Sequence, residues 1–432
     1  MSLSTHIVVD LGFGDAGKGT MVDAIARRCS SAPLVVRHNG GAQAGHNVHT
    51  ADGRHHTFSQ FGAASFVPGA RTLLSKHFVL HPPGLMGEHE HLASVGAPAL
   101  DRLVIDELAL VITPYHQAVN RLREAVRRAS PHGTCGLGVG ETVADSLEEG
   151  EHVVRAKDLR EVGAIRWKLI CARNRKLEQA EPFLGQIDPA NRDLQLLRDP
   201  TSIDRTADIY EAIGKRLRIV SSAEAEREVR EAEHVIFEGA QGVLLDEWHG
   251  FHPHTTWSTT TTENADTMID ESGRGGQVTR MGVVRAYATR HGQGPFPTED
   301  TKLTEQLREA HNTDDGPQGR FRCGWFDCAL TWYAMGCCAR LDALAVTCLD
   351  RLASVPSWKI STGYDPGLCL ASKRGDLEHQ AELTRVLSTH ANPSLVSVPS
   401  DHVGYISYLE ELLDLPITVT SHSPTAGGKR WR

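Results

Sequence analysis

The residues best placed to do chemistry stand in three glycine-rich segments. The first is Gly12-Phe13-Gly14-Asp15-Ala16-Gly17-Lys18-Gly19. Glycines let backbone N–H groups close on phosphate oxygens, a helix N-terminus favours the anion, and a lysine adds a point charge. The spacing G-x4-G-K matches a phosphate-binding loop, but Gly19 stands where the magnesium-ligating Ser or Thr of such loops belongs. Asp15, inside the loop, is the metal ligand offered in its place. The second segment, Asn39-Gly40-Gly41-Ala42-Gln43-Ala44-Gly45-His46, sets a histidine where charge on a phosphate would develop. The third, Glu238-Gly239-Ala240-Gln241-Gly242, presents an amide to a ligand ring.

Strands must hold these segments. The apolar runs 6–10, 34–37, 234–237, 343–347 and 417–420 lack alternation, as strands covered on both faces do. The stretch 17–28 has helical spacing. Strands separated by long helical stretches predict an α/β fold with a mostly parallel central sheet flanked by helices. Ligands of such sheets bind beyond the carboxyl ends of the strands, so the three segments point at one crevice. A length of 432 residues leaves room for about three domains. The shared crevice favours one large domain over 1–432, with a mainly helical insertion around 145–235. Residues 250–330 read as loop-rich, with the run Thr259-Thr260-Thr261-Thr262.

A net charge of −9 argues against a duplex nucleic-acid partner, which needs a basic face. No run of about 18 apolar residues is present to span a membrane. The first ten residues lack a basic segment followed by a long apolar stretch, which predicts a cytoplasmic chain. Nine scattered cysteines without a CxxC pair argue against zinc ribbons and disulfide scaffolds. Histidine is unusually abundant, at 23 residues.

In order along the chain, the segments resemble the adenylosuccinate synthetase family. The family's W-G-D-E-G-K-G-K is similar to Phe13-Gly14-Asp15-Ala16-Gly17-Lys18-Gly19-Thr20, and its G-G-H-N-A-G-H to Gly40-Gly41-Ala42-Gln43-Ala44-Gly45-His46. F-E-G-A-Q-G is identical at Phe237 to Gly242. The stretch from Ala286 to Glu299 resembles A-Y-T-T-R-V-G-A-G-P-F-P-T-E, Gly324-Trp325-Phe326-Asp327 resembles G-W-L-D, and Thr347-Cys348-Leu349-Asp350 resembles T-K-L-D. The resemblance implies a P-loop-like, GTP-dependent carbon–nitrogen ligase that joins L-aspartate to inosine monophosphate (IMP) with Mg2+, in a homodimer. It implies Asp15 as general base and metal ligand, the Gly45 carbonyl as a second metal ligand, and His46 as stabiliser of phosphate charge. Gly14, Gly17, Lys18, Gly19, Gly45 and His46 would hold the GTP phosphates, and Asp350 would read guanine. Gln43, Thr134, Cys135, Gln241 and Thr256 would hold the acceptor; Thr298, Arg320 and Arg322 would hold the amino acid.

Departures gather at the acceptor and amino-acid sites. The family's T-T-G-R-G-I-G-P becomes Thr134-Cys135-Gly136-Leu137-Gly138-Val139-Gly140-Glu141, so a phosphate-binding Thr is Cys135 and an Arg is Leu137. The Arg that the family borrows from a partner subunit has Arg155 as its nearest counterpart, and His252 and His254 stand where they could compensate. The family's T-T-G-R-x-R-R is shortened to Pro317-Gln318-Gly319-Arg320-Phe321-Arg322-Cys323. The alternative reading is a specialised paralogue that runs the same chemistry on another acceptor or amino acid.

Overall fold

The computed structural model describes residues 3–127, 134–309, 319–365 and 367–432. Its centre is a ten-stranded sheet in the spatial order Lys429–Trp431, Ile417–Ser421, Ala343–Thr347, Gln277–Arg285, Ser4–Asp10, His234–Glu238, Leu34–Arg37, Arg71–Leu74, Leu103–Asp106, Ile219–Val220. Every neighbouring pair is parallel except Ile417–Ser421 with Lys429–Trp431. The lack of alternation has a direct cause. Ile7 and Val9 face one hydrophobic core while Val8 faces another, and the same division holds for Val36 and Val35, for Phe237 and Ile236, and for Val346 and Ala345. Each strand is therefore apolar on both faces.

The five strands expected from the sequence all form. The longest strand, Gln277–Arg285, lies inside the stretch expected to be loop-rich; its first half is largely polar and only Met281 to Val284 are buried. Helices begin earlier than the expected 145. Between the parallel pair Leu103–Asp106 and Ile219–Val220 lie Pro114–Arg127, Val139–Glu149, Val162–Ala180, Arg192–Arg198 and Ser202–Gly214. The helix Ser222–Glu231 then returns the chain to the sheet. Two antiparallel ribbons lie outside the central sheet: the hairpin His46–His49 with His55–Phe58, and the long-range pair Ala288–His291 with Phe321–Gly324. Among the described residues no helix is long and apolar enough to cross a membrane.

The central strands run parallel, so their carboxyl ends lie on one edge. Three of the four described non-glycine residues with positive φ sit just beyond such ends: Asp15 at 62°, Gln241 at 57° and Cys348 at 59°. Side chains avoid that conformation unless the surroundings enforce it, and it concentrates at functional sites.

Candidate active site

The first loop is organised by a residue to which the sequence reading gave no role. Asp10 ends its strand fully buried. One carboxylate oxygen accepts the N–H of Gly12 at 2.8 Å; the other accepts the N–H of Ala16 at 2.8 Å and Lys18 Nζ at 3.0 Å. The loop is thus closed around a buried ion pair, and Lys18 opens the helix Lys18–Ala26 with Gly17 before it at φ 89°. Removing one member of a buried pair leaves the other uncompensated, at about 3–5 kcal/mol. Asp10→Ala is accordingly expected to lower unfolding free energy by that amount in urea titration, and to weaken nucleotide binding. An unchanged unfolding midpoint would show that the pair does not organise the loop.

His46 lies directly over the first turn of that helix. A Cβ on Gly19 would stand 2.6 Å from His46 Cβ. The glycine that replaces the usual hydroxyl residue is therefore what lets the second loop close on the first. His46 Nδ1 is hydrogen-bonded to Glu238, whose other oxygen accepts the N–H of Ala63 at 2.9 Å. Burial pushes the imidazole pKa down; Glu238 pulls it up, and the net shift is downward. Burial also opposes ionisation of Glu238, but His46 and Arg37 outweigh it and keep its carboxyl below its usual range.

Asp15 projects from the loop with its side chain 38% exposed, and His291 Nε2 lies 3.2 Å from its Oδ2. Desolvation by the cleft walls opposes ionisation, but His291, Arg285 and Lys18 prevail and hold the carboxyl below the usual carboxylate range. Arg285 Nε also donates to the Asp15 carbonyl at 2.7 Å. Gly45 is exposed beside His46. Gly14 takes φ 95° next to Asp15. At the far side of the loop, Thr347 Oγ1 donates to the Ala16 carbonyl at 2.7 Å. This draws the end of strand Ala343–Thr347, and the exposed Asp350 in the first turn after it, toward the same crevice.

The second and third loops are stitched together. Asn39 Nδ2 donates to the Ala240 carbonyl at 3.0 Å, and the Ala240 N–H donates back to Asn39 Oδ1 at 2.7 Å. The Gly40 N–H donates to Ser258 Oγ at 2.8 Å, which brings in Thr256 and Trp257. The Oε1 atoms of Gln43 and Gln241 are buried with no partner among the described residues. Buried amide oxygens without donors mark a place for a ligand. Trp257, 49% exposed, rests on the start of the helix Val139–Glu149: a Cβ on Gly140 would stand 2.7 Å from its Cδ1. Thr134 Oγ1 donates to Asn120 at 3.2 Å, and burial pushes the Cys135 thiol pKa up, which keeps it an uncharged, weak donor.

Some expected groups are engaged elsewhere. His252 Nε2 donates to the Glu247 carbonyl at 2.9 Å, and Arg155 Nη1 donates to the Leu108 carbonyl at 2.8 Å; neither is presented to a phosphate. Arg322 is paired with Glu299 at 2.7 Å and with the Gly292 carbonyl at 2.7 Å, so it is not a free carboxylate clamp. Arg320 on the same ribbon is exposed, and the Thr298 hydroxyl is buried without a partner among the described residues. Pro317 and Gln318 lie outside the described residues.

Comparison with known proteins points to one family. Residues 7–427 match the family model for adenylosuccinate synthetase. The adenylosuccinate synthetase of Microcystis aeruginosa is 32% identical over 97% of this chain and 92% of its own length; that of Synechocystis is 31% identical over 97% and 93%. The fully ligated adenylosuccinate synthetase of Plasmodium falciparum superposes with a TM-score of 0.80 at 21% identity, covering all of both chains. A cyanophage S-2L succinoaminodeoxyadenylate synthetase, solved with dGMP and dATP, gives 0.61 at 14% identity, covering 100% of this chain and 96% of its own. The converging loops, the match over nearly the whole length and relatives above 30% identity lead to one conclusion: this chain belongs to the adenylosuccinate synthetase family.

Proposed function

We propose that the chain is a GTP-dependent carbon–nitrogen ligase that joins L-aspartate to IMP, giving adenylosuccinate, GDP and phosphate. The observation that carries this reading is the grouping of Asp15, Lys18 and His46 around one phosphate loop inside a family fold. A lactam oxygen is a poor leaving group, and phosphorylation makes it a good one. Asp15 takes the ring N–H proton, so the lactam oxygen can attack the γ-phosphate of GTP. The loop N–H groups and Lys18 hold the phosphates, while His46 faces the charge that develops on them. The aspartate amine then displaces the phosphate. Gln43 and Gln241 offer their unpartnered oxygens to the acceptor, with Thr134, Cys135 and Thr256 beside them. Thr298 and Arg320 serve the amino acid, and Arg322 joins them if Glu299 releases it.

The oxygen donors fit magnesium. The Asp15 carboxylate and the Gly45 carbonyl are hard ligands, and magnesium takes most of its remaining shell from phosphates and water. When bound it neutralises charge on the phosphate oxygens. The homodimer is carried over from the family.

Asp350 is proposed to accept the guanine N–H groups. A charge-assisted bond is worth about 1.5–3 kcal/mol, so Asp350→Asn is expected to cut the GTP over ATP preference at least tenfold in kcat/KM. An unaltered ratio would remove Asp350 from base selection. The reaction itself is tested by mass spectrometry of products formed from GTP, magnesium, IMP and aspartate, with phosphate release followed in parallel. An adduct of IMP and aspartate supports the reading. Adduct formation only with another purine nucleotide or another amino acid would replace it with the specialised paralogue, for which Trp257 on Gly140 and Cys135 in the acceptor loop are the structural grounds.

A further inference from the structure

We propose that His291 is a positioning residue for the catalytic base, pinning the Asp15 carboxylate through Oδ2 so that its orientation in the cleft is set before substrate arrives. The inference rests on Asp15 being the base, as proposed above.

Asp15 is held poorly by its own loop. Its backbone is in the left-handed region, between Gly14 at φ 95° and Gly17 at φ 89°, and its side chain stands out into the cleft. Two groups from one neighbouring segment hold it. Arg285, at the end of the strand Gln277–Arg285, donates Nε to the Asp15 carbonyl at 2.7 Å. His291, at the end of the strand Ala288–His291, faces Oδ2 from 3.2 Å. Backbone and side chain are thus fixed separately.

The two holders are themselves fixed. Arg285 is bonded to Glu309 Oε1 at 2.6 Å and to the Tyr287 hydroxyl at 3.1 Å. His291 pairs in register with Phe321, and the two rings lie 4.9 Å apart between centroids, which sets the plane of the imidazole. A neutral imidazole with its proton on Nε2 suffices, since the carboxylate supplies the acceptor. The same ribbon carries Arg322, with Arg320 at its edge, so the segment proposed to hold the amino acid also orients the base.

The test compares His291→Val, which removes the donor, with His291→Gln, whose side-chain amide nitrogen reaches the position of Nε2. Steady-state assays with GTP, IMP and aspartate give kcat and each KM, and a fluorescent GTP analogue gives nucleotide affinity without turnover. A misplacement of about 1 Å costs on the order of a hundredfold in rate. His291→Val is expected to lower kcat by about 10–100-fold, with each KM and the analogue affinity within about twofold of wild type. His291→Gln is expected to recover at least a tenth of wild-type kcat. A His291→Val kcat within twofold of wild type overturns the inference, as does a His291→Gln variant no better than His291→Val. Asp15→Asn in the same assay separates the two levels. An inactive Asp15→Asn beside an unimpaired His291→Val sinks the positioning role alone, whereas an active Asp15→Asn sinks the base and the positioning role with it.

Discussion

Asp15→Asn is expected to lower kcat by at least about a thousandfold while GTP still binds within a few-fold of wild type. Positioned proton transfer contributes on the order of 10²–10⁴ in rate, and an amide cannot take the lactam proton at all. The same substitution removes a hard oxygen charge beside the phosphates, so the loss falls at the upper end. Binding survives because the phosphates are held by other groups. The N–H groups of the loop and Lys18 are organised by Asp10, which does not touch Asp15. The fold also survives: Asp15 is exposed, and the loop conformation it adopts is one that Asn tolerates better than most residues. The check is a burst of phosphate release in a single turnover, set beside equilibrium binding of a fluorescent GTP analogue. Rapid single-turnover phosphate release by the variant would mean that the proton leaves by another route.

The fold was legible where both faces of a strand are buried. The runs at 6–10, 34–37 and 343–347 carry unbroken apolar side chains because each has a core above and below it. Gln277–Arg285 escaped because half of it is polar, although it stands beside Ser4–Asp10 in the sheet. Asp15, Lys18 and His46 stand out by residue type and spacing in two separate segments, and the structure brings those segments together at Gly19. What spacing does not encode is which partner a side chain finds. Lys18 was expected to meet phosphate, and the structure shows it already meeting Asp10. Arg322 reads as a clamp for a carboxylate from outside, and the structure shows it meeting Glu299. Glu238 stood in a quoted motif, yet its bond to His46 depends on two strand ends brought together by the sheet. The missing hydroxyl at Gly19 looked like a lost metal ligand. It is also a steric requirement, visible only once His46 is placed.

His46→Asn is expected to lower kcat by about a hundred- to a thousandfold with the fold intact. The choice of asparagine follows from the Glu238 contact. Glu238 is fully buried, and a buried carboxylate left without its donor is strongly destabilising. The amide nitrogen of Asn falls where Nδ1 of the imidazole stands, so it can keep the bond to Glu238. What it lacks is Nε2, which donates to the transferred phosphate once the ring takes a second proton, Nδ1 already giving its own to Glu238. Removing one such donor in a dry site costs about 2.7–4 kcal/mol of transition-state stabilisation. GTP affinity should change little, because the interaction strengthens only as charge develops. His46→Gln makes the opposite trade: it places an amide near Nε2 and strips Glu238 of its partner, so it should show a lower urea midpoint than His46→Asn. The pair of variants thus separates charge stabilisation from support of the buried carboxylate. A His46→Asn enzyme with kcat within tenfold of wild type would place the phosphate-facing charge on another group, with Lys18 the next in line.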